Sequence, residues 1–119
     1  MPRVDGRLPD AGDVFWVDFA SAVGHEEAGR RPALVVTRAA YNDRSSVIVV
    51  CPITNRSRRW PFQVAISPIG KITGFVLVDQ IQAIDPIARA CRFAGVVSEA
   101  TLSEVRRRLA SLIWAEPRA

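Results

Sequence analysis

Apolar residues along this chain fall mostly in short runs rich in β-branched and aromatic side chains, which is typical of β-strands rather than of helices. Segments of this kind occupy residues 14–19, 33–37, 47–51, 60–66, 75–78, 80–84 and 89–97. Residues 47–51 are apolar without interruption, so we expect a central strand covered on both faces. The short strands and the turn residues between them predict a curled antiparallel sheet or small barrel.

One segment, residues 98–114, has a helical period instead. Its apolar stripe is formed by Leu102, Val105, Leu109 and Leu112, at steps of three and four residues. Ser98 precedes the stripe and is a favourable N-cap. We therefore predict a fold that is mainly β, closed by a C-terminal α-helix packed on the sheet.

Composition describes an ordinary globular domain. Of the 119 residues, 49% are hydrophobic and 24% are charged, and we interpret residues 1–119 as one domain with residues 1–11 as a flexible arm. We read no secretion leader and no membrane-spanning run in the sequence, which predicts a cytoplasmic protein. The net charge of +4 and the pI of about 10.0 favour a polyanionic partner such as nucleic acid.

The chain offers few ligands for a metal. It contains one histidine and two separated cysteines, Cys51 and Cys91, which both lie in apolar runs. We interpret the cysteines as reduced core thiols, and the set argues against a zinc site. We expect no metal and no cofactor.

The first polar loop of interest precedes residue 32 and carries His25, Glu26 and Arg31. Pro32 belongs at the start or edge of a strand because it lacks an amide donor. Arg31 would then stand at the mouth of the sheet, where its guanidinium can grip a phosphate in a bidentate manner. The alternative, a solvated surface arginine, stays open.

The second loop, residues 52–59, is polar and basic. It holds Thr54, Asn55, Arg56, Arg58 and Arg59, and the aromatic residues Trp60 and Phe62 follow. Arginines beside aromatic rings are typical of nucleic-acid binding, although a solvated hairpin tip would look the same. Trp16 is expected in the core, and Trp60 in the core or on a stacking surface.

A third polar feature, Asp79-Gln80, interrupts an apolar run. The simplest interpretation is a bulge or turn between two strands.

Five segments together resemble the MazF/PemK family of toxin–antitoxin endoribonucleases. They are GDVFWVDF at residues 12–19, GHEEAGRRPALVV at 24–36, PIT at 52–54, PF at 61–62 and DQ at 79–80. The resemblance runs from about residue 10 to residue 113. The Arg-Pro strand start and the Asp-Gln pair are specific in combination.

The resemblance implies a strongly curved SH3-like barrel, a homodimer and a cognate antitoxin with an acidic segment. It also implies metal-independent cleavage of single-stranded RNA, including mRNA, leaving a cyclic phosphate and a 5′-hydroxyl and inhibiting translation and growth. The family's catalytic arginine and threonine fall on Arg31 and Thr54. Residues expected to bind RNA are His25, Glu26, Asn55, Arg56, Arg58, Arg59 and Gln80.

Two departures concern base specificity. His25 stands where many members have serine, and Asn55 stands where threonine or serine is frequent. His25 is either an acid–base group or a solvated loop residue, and the second interpretation is favoured because relatives manage without it. Alternative functions are a non-enzymatic toxin of the same fold, like the gyrase-poisoning CcdB relatives, and an inactive RNA-binding paralogue.

Overall fold

The computed structural model describes residues 3–19 and 29–114. The described chain forms strands β1 (Asp13–Asp18), β2 (Arg30–Val35), β3 (Ile48–Thr54), β4 (Gln63–Ile69), β5 (Ile72–Leu77), β6 (Gln82–Ile84) and β7 (Arg92–Val96), and helices α1 (Ala39–Asn42) and α2 (Glu99–Ile113). The strands are antiparallel, in the order β4-β5-β3-β2-β1-β7, with β6 paired to β3. The predicted fold class, mainly β with a C-terminal helix, is confirmed.

Strand β3 is the centre of the sheet because it changes partners along its length. Val50 pairs with β2 and β6, whereas Ile53 and Thr54 pair with β5. The strand was predicted to end at residue 51, and it continues through Pro52. Pro52 falls between the β6 and β5 partners, where its missing amide removes no bond to either strand.

Both faces of the central strands are buried, and alternate residues enter two separate clusters of the core. Phe15, Ala33 and Val50 enter one cluster, while Val14, Leu34 and Cys51 enter the other. Period-two alternation explains this division, since neighbouring side chains on a strand point to opposite faces. The curl of the sheet thus encloses one core, and α2 covers the other.

The β4–β5 hairpin turns at Gly70 and Lys71, between the predicted strand segments at residues 60–66 and 75–78. Pro68 lies in β4, at a register shift between Ile66 and Ile69. An edge strand tolerates proline at such a bulge because no further strand needs its amide. The predicted break at Asp79-Gln80 is confirmed as a 3₁₀ turn, Val78–Gln80, between β5 and β6.

Helix α2 begins as the sequence predicted. The hydroxyl of Ser98 accepts a hydrogen bond from the Thr101 amide at 3.1 Å, and Leu102 and Val105 are buried. Leu112 departs from the predicted stripe because it is 39% exposed. The last turn of the helix therefore extends past the sheet. Among the described residues, none of the helices has the length and apolar character to cross a membrane.

Residues 3–11 pack on the sheet, which corrects the prediction of a flexible arm. Val4 is buried, and the guanidinium of Arg7 forms two hydrogen bonds of 2.9 Å with the buried carboxylate of Asp13. The same guanidinium lies 4.1 Å from the centre of the Phe93 ring. Composition alone suggested an arm because it does not show that Asp13 and Phe93, on two neighbouring strands, both hold Arg7.

Candidate functional site

A cleft of about 270 Å³ opens where three strands and a turn meet. It is lined by Trp16 of β1, Arg31 and Pro32 of β2, Ile53, Thr54 and Asn55 at the end of β3, and Lys71, Ile72 and Thr73 at the β4–β5 turn. Arg31 and Lys71 are its cations, and the described lining contains no carboxylate. The cleft therefore suits an anionic ligand.

Arg31 and Thr54 lie on neighbouring strands and both line this cleft. Ala33 of β2 pairs with Pro52 of β3, and continuing this antiparallel register by two residues brings Arg31 opposite Thr54. The two residues are far apart in sequence, but both line the cleft. The predicted pair is thus brought together by the strand register.

Arg31 lies within β2, where it pairs with Val17, and not in the preceding loop. Its neighbour Arg30 donates a hydrogen bond to the carbonyl oxygen of Ala90 at 2.8 Å. Within residues 3–19 and 29–114, we find no hydrogen bond or ion pair from the Arg31 guanidinium. Among these residues its donors are therefore available to a ligand in the cleft.

The hydroxyl of Thr54 accepts a hydrogen bond from the Arg56 amide at 3.2 Å. Because a hydroxyl has one proton and two acceptor sites, this bond occupies an acceptor site and leaves the proton available for donation. Thr54 is half-buried, and its backbone pairs with Phe75 of β5. A phosphate oxygen in the cleft is a suitable acceptor for it.

The basic loop, which we define as residues 55–62, runs from the cleft along the edge of the sheet. Asn55 lines the cleft, whereas the exposed residues Arg56, Arg58 and Arg59 do not belong to its lining. The structure therefore separates the four predicted RNA-binding residues of this loop into one at the cleft and three beside it.

Helix α2 supports the far end of the basic loop. Arg108 donates a hydrogen bond to the carbonyl oxygen of Pro61 at 2.5 Å and another to Glu104 at 2.6 Å. Arg108 and then Arg107 lower the pKa of Glu104 by hydrogen bonding to its carboxylate.

Asp79 and Gln80 have different surroundings. The carboxylate of Asp79 accepts a hydrogen bond from the Trp60 ring nitrogen at 2.8 Å, so Asp79 anchors the basic loop. Trp60 is 43% exposed and packs edge-on against Phe62 with ring centres 5.6 Å apart. Gln80 is exposed and lies outside the cleft lining. Trp60 is thus fixed at the surface and not in the core.

The sequence interpretation missed three residues of the cleft. Trp16 was assigned to the core, but it is half-buried and forms part of the cleft wall. Lys71 and Thr73 were treated only as turn residues. One signal was available, because Lys71 is the only lysine of the chain and directly follows the turn residue Gly70.

Two of the predicted residues, His25 and Glu26, lie outside the described residues. Within the described part of the chain, no group of three histidine, cysteine or acidic side chains is arranged to hold a metal ion.

Comparison with known proteins identifies the family. The family model for the PemK-like, MazF-like toxin of type II toxin–antitoxin systems matches residues 10–113. The chain is 35% identical to the endoribonuclease toxin MazF of Escherichia coli over 110 residues, covering 92% of this chain and 98% of the relative.

Solved structures of other proteins are also similar to this chain. MazF from Deinococcus radiodurans has a TM-score of 0.78 and 38% identity, covering 89% of this chain and 96% of that one. An endoribonuclease in complex with its cognate antitoxin, from a mycobacterial species, has a TM-score of 0.76 and 26% identity, covering 92% and 99%. The chain therefore belongs to the PemK-like, MazF-like toxins of type II toxin–antitoxin systems.

Proposed function

We propose that this toxin is an endoribonuclease that cuts single-stranded RNA at short sequences and thereby inhibits translation and growth. The observation that carries the proposal is the placement of Arg31 and Thr54 on facing strands of one cationic cleft. Relatives with high coverage carry the name endoribonuclease, which agrees with this assignment. Because the substrate would be mRNA, the protein would act in the cytoplasm.

The chemistry we propose is attack of a ribose 2′-oxygen on the neighbouring phosphorus. The bond from phosphorus to the 5′-oxygen breaks, the 2′-hydroxyl loses its proton, and the leaving oxygen gains one. The products are a 2′,3′-cyclic phosphate and a 5′-hydroxyl. The step needs stabilisation of the negative charge that develops on the phosphate oxygens.

Arg31 would stabilise this charge through two parallel hydrogen bonds. A guanidinium remains protonated at neutral pH, so it stabilises negative charge strongly but is a poor base. Thr54 would donate a hydrogen bond from its hydroxyl to a phosphate oxygen, since the Arg56 amide occupies one acceptor site of that hydroxyl and leaves its proton available. Because these side chains supply positive charge and a donor, we propose that cleavage requires no metal ion.

The flanking nucleotides would lie along the basic loop. Asn55, Arg56, Arg58, Arg59 and Gln80 are exposed and are proposed to bind them. His25 and Glu26 are proposed as RNA-binding residues on the family resemblance alone.

We further propose that the protein is a homodimer. Exposed apolar side chains support this, with Ile113 at 72% and Trp114 at 65% exposure at the end of α2 and Val96 at 54% on the edge strand β7. Exposed apolar surface is costly for an isolated monomer. Sedimentation at micromolar concentration tests the proposal, and a monomer would contradict it.

The antitoxin partner would present an acidic segment to the basic loop. The net charge of +4 and the three exposed loop arginines support this. The affinity should fall as salt rises because salt screens the attraction between the charges. An affinity that does not change with salt would contradict the acidic segment.

The experiment that tests the activity is incubation of the purified protein with mixed-sequence RNA in EDTA, followed by mapping of the new ends. We expect cuts at one short sequence, with 5′-hydroxyl ends. Arg31→Ala should strongly slow their formation, and Arg106→Ala, which removes an exposed arginine from α2, is the charge-matched control. Intact RNA with inhibited DNA supercoiling would favour a gyrase poison instead.

A further inference from the structure

Gln63, the first residue of β4, holds the basic loop by its side chain. Its carbonyl oxygen Oε1 accepts a hydrogen bond from the Arg58 amide at 2.9 Å, and its Nε2 donates to the Arg56 carbonyl oxygen at 3.2 Å. The orientation of the side-chain amide is determined, because a backbone amide only donates and a backbone carbonyl only accepts. Gln63 thus pairs with the loop backbone much as a neighbouring strand would.

These two hydrogen bonds from the Gln63 side chain, which we call the Gln63 clamp, are connected to Thr54 through one residue, Arg56. Arg56 accepts from Gln63 with its carbonyl oxygen and donates to the Thr54 hydroxyl with its amide. Gln63 itself is half-buried and lies outside the cleft lining. The backbone of Gln63 pairs with Leu77, so the side chain extends from a fixed strand.

We propose that Gln63 is a positioning residue for the cleavage reaction, which orients the Thr54 hydroxyl by holding the Arg56 amide in place. This inference rests on the proposed function, because it concerns the efficiency of the same cleft. The Arg56 amide occupies an acceptor site of Thr54 only while the loop keeps its conformation. Loss of the clamp would free the hydroxyl to rotate away from the phosphate.

The clamp is tested first without reference to activity. Amide hydrogen exchange of the wild type should show protection at Arg56 and Arg58. In Gln63→Met, which is similar in length but forms neither bond, both amides should exchange faster while the Val76 amide in β5 is unchanged. Unchanged exchange at Arg56 would overturn the proposal.

Activity is then measured as single-turnover RNA cleavage. Misplacement of a reacting group by about 1 Å can cost on the order of 100-fold in rate, so we expect Gln63→Met to reduce the rate at saturating protein by about 10- to 100-fold. Gln63→Glu should recover little of this loss, because it retains the acceptor for the Arg58 amide but lacks the donor that holds the Arg56 carbonyl oxygen. Gln82→Met, at an exposed glutamine of β6, is the matched control.

A double-mutant cycle separates positioning from general damage to the fold. In a Thr54→Val background, Gln63→Met should have little further effect on the rate, since no hydroxyl is left to orient. Full additivity of the two losses would overturn the proposal. If the wild type cuts no RNA, the proposed function fails, whereas the exchange experiment still decides whether the clamp exists.

If Gln63→Met does not fold, the same hydrogen-exchange measurement is made on Gln63→Glu. In that variant the Arg58 amide should remain protected, and the Arg56 amide should exchange faster because the Arg56 carbonyl has lost its donor. Loss of protection at Arg58 in a folded Gln63→Glu would contradict the clamp.

Discussion

Gly74 of β5 lies directly against the backbone of Thr54. A Cβ atom at position 74 would lie 2.0 Å from the carbonyl oxygen of Thr54 and 2.8 Å from the Cα of Asn55. The φ angle of Gly74 is +123°, which side-chain-bearing residues rarely adopt. Glycine at this position therefore allows β5 to hold the end of β3 where Thr54 enters the cleft.

We predict that Gly74→Ala displaces Thr54. The clash involves backbone atoms that cannot rotate away, so we expect a loss of about 1–3 kcal/mol in the free energy of unfolding together with a loss of RNA cleavage. The matched control is Gly70→Ala, because Gly70 also has a positive φ, of +58°, but nothing lies within 4 Å of the added Cβ. Gly70→Ala should lose stability and keep cleavage, and an equal loss of cleavage in both variants would contradict the prediction.

Arg31→Ala should leave the fold intact and lower the cleavage rate by about 100- to 1,000-fold, as is typical for loss of one donor to a developing charge. The side chain is exposed, so its removal should change the unfolding free energy little. Arg31→Lys should recover only part of the rate because an ammonium cannot make two parallel bonds. Cleavage by Arg31→Ala at the wild-type rate would contradict the assigned role.

Thr54→Val and Thr54→Ser separate the hydroxyl from the shape of the side chain. Valine keeps the branched shape and removes both the donor and the acceptor for the Arg56 amide, so we expect a loss of about 100-fold. Serine keeps the hydroxyl and loses a methyl group, so the loss should be mild. Comparison of the two rates at saturating protein tests this, and equal losses would contradict a role for the hydroxyl.

Lys71 should contribute to RNA affinity more than to the rate of cleavage. Its ammonium group is one of two cations in the cleft lining, but the sequence did not identify it as a site residue. In Lys71→Gln, binding of RNA to a cleavage-deficient Thr54→Val background should weaken. The slope of log affinity against log salt should fall by about 0.7, as expected for one lost phosphate contact on a single strand. An unchanged slope would exclude a phosphate contact by Lys71.

The two cysteines should make stability fall at alkaline pH. Burial raises the pKa of Cys51 to about 12 and that of Cys91 to about 11, from an ordinary value of 9.0. As pH rises through about 9, the unfolded thiols ionise while the folded thiols keep their protons. The unfolded state then binds fewer protons, so the free energy of unfolding decreases from about pH 9 to pH 11.

Urea unfolding across this pH range measures the effect. The decrease should be smaller in a Cys51→Ala, Cys91→Ala variant, which retains every other titrating group. A parallel test is alkylation by iodoacetamide at pH 8, which should be slow in the native protein and fast in urea because the reactive species is the thiolate. An identical pH dependence in the two proteins would contradict the prediction.

Local pattern in the sequence was enough for the strands and for helix α2, but it did not predict the short helix α1. A strand at residues 14–19 points Phe15 and Val14 to opposite faces, and the structure puts them in different core clusters. Ser98 was identifiable as an N-cap because its role depends only on the next turn of the helix. Features of this kind involve residues close together in the chain.

The ends of strands, and contacts between residues that are distant in the chain, were harder to predict from the sequence. The sequence ended β3 at residue 51 because residues 52–59 are polar and basic, whereas the strand continues to Thr54. Only the change of partner from β6 to β5 explains why Pro52 is tolerated within it. The packed N-terminal segment was missed for a similar reason, since Asp13 and Phe93 hold Arg7 from different strands.

The candidate site also has features that follow from local sequence and others that depend on contacts between distant residues. The sequence by itself determined that Arg31 precedes a proline-containing strand and that Thr54 follows an apolar one, and the family resemblance named the pair. The register of β2 with β3 decided that the two residues line the same cleft, and the curl of the sheet decided that Trp16 and Lys71 join them. Those contacts depend on strand pairing across the whole domain, which the order of neighbouring residues does not encode.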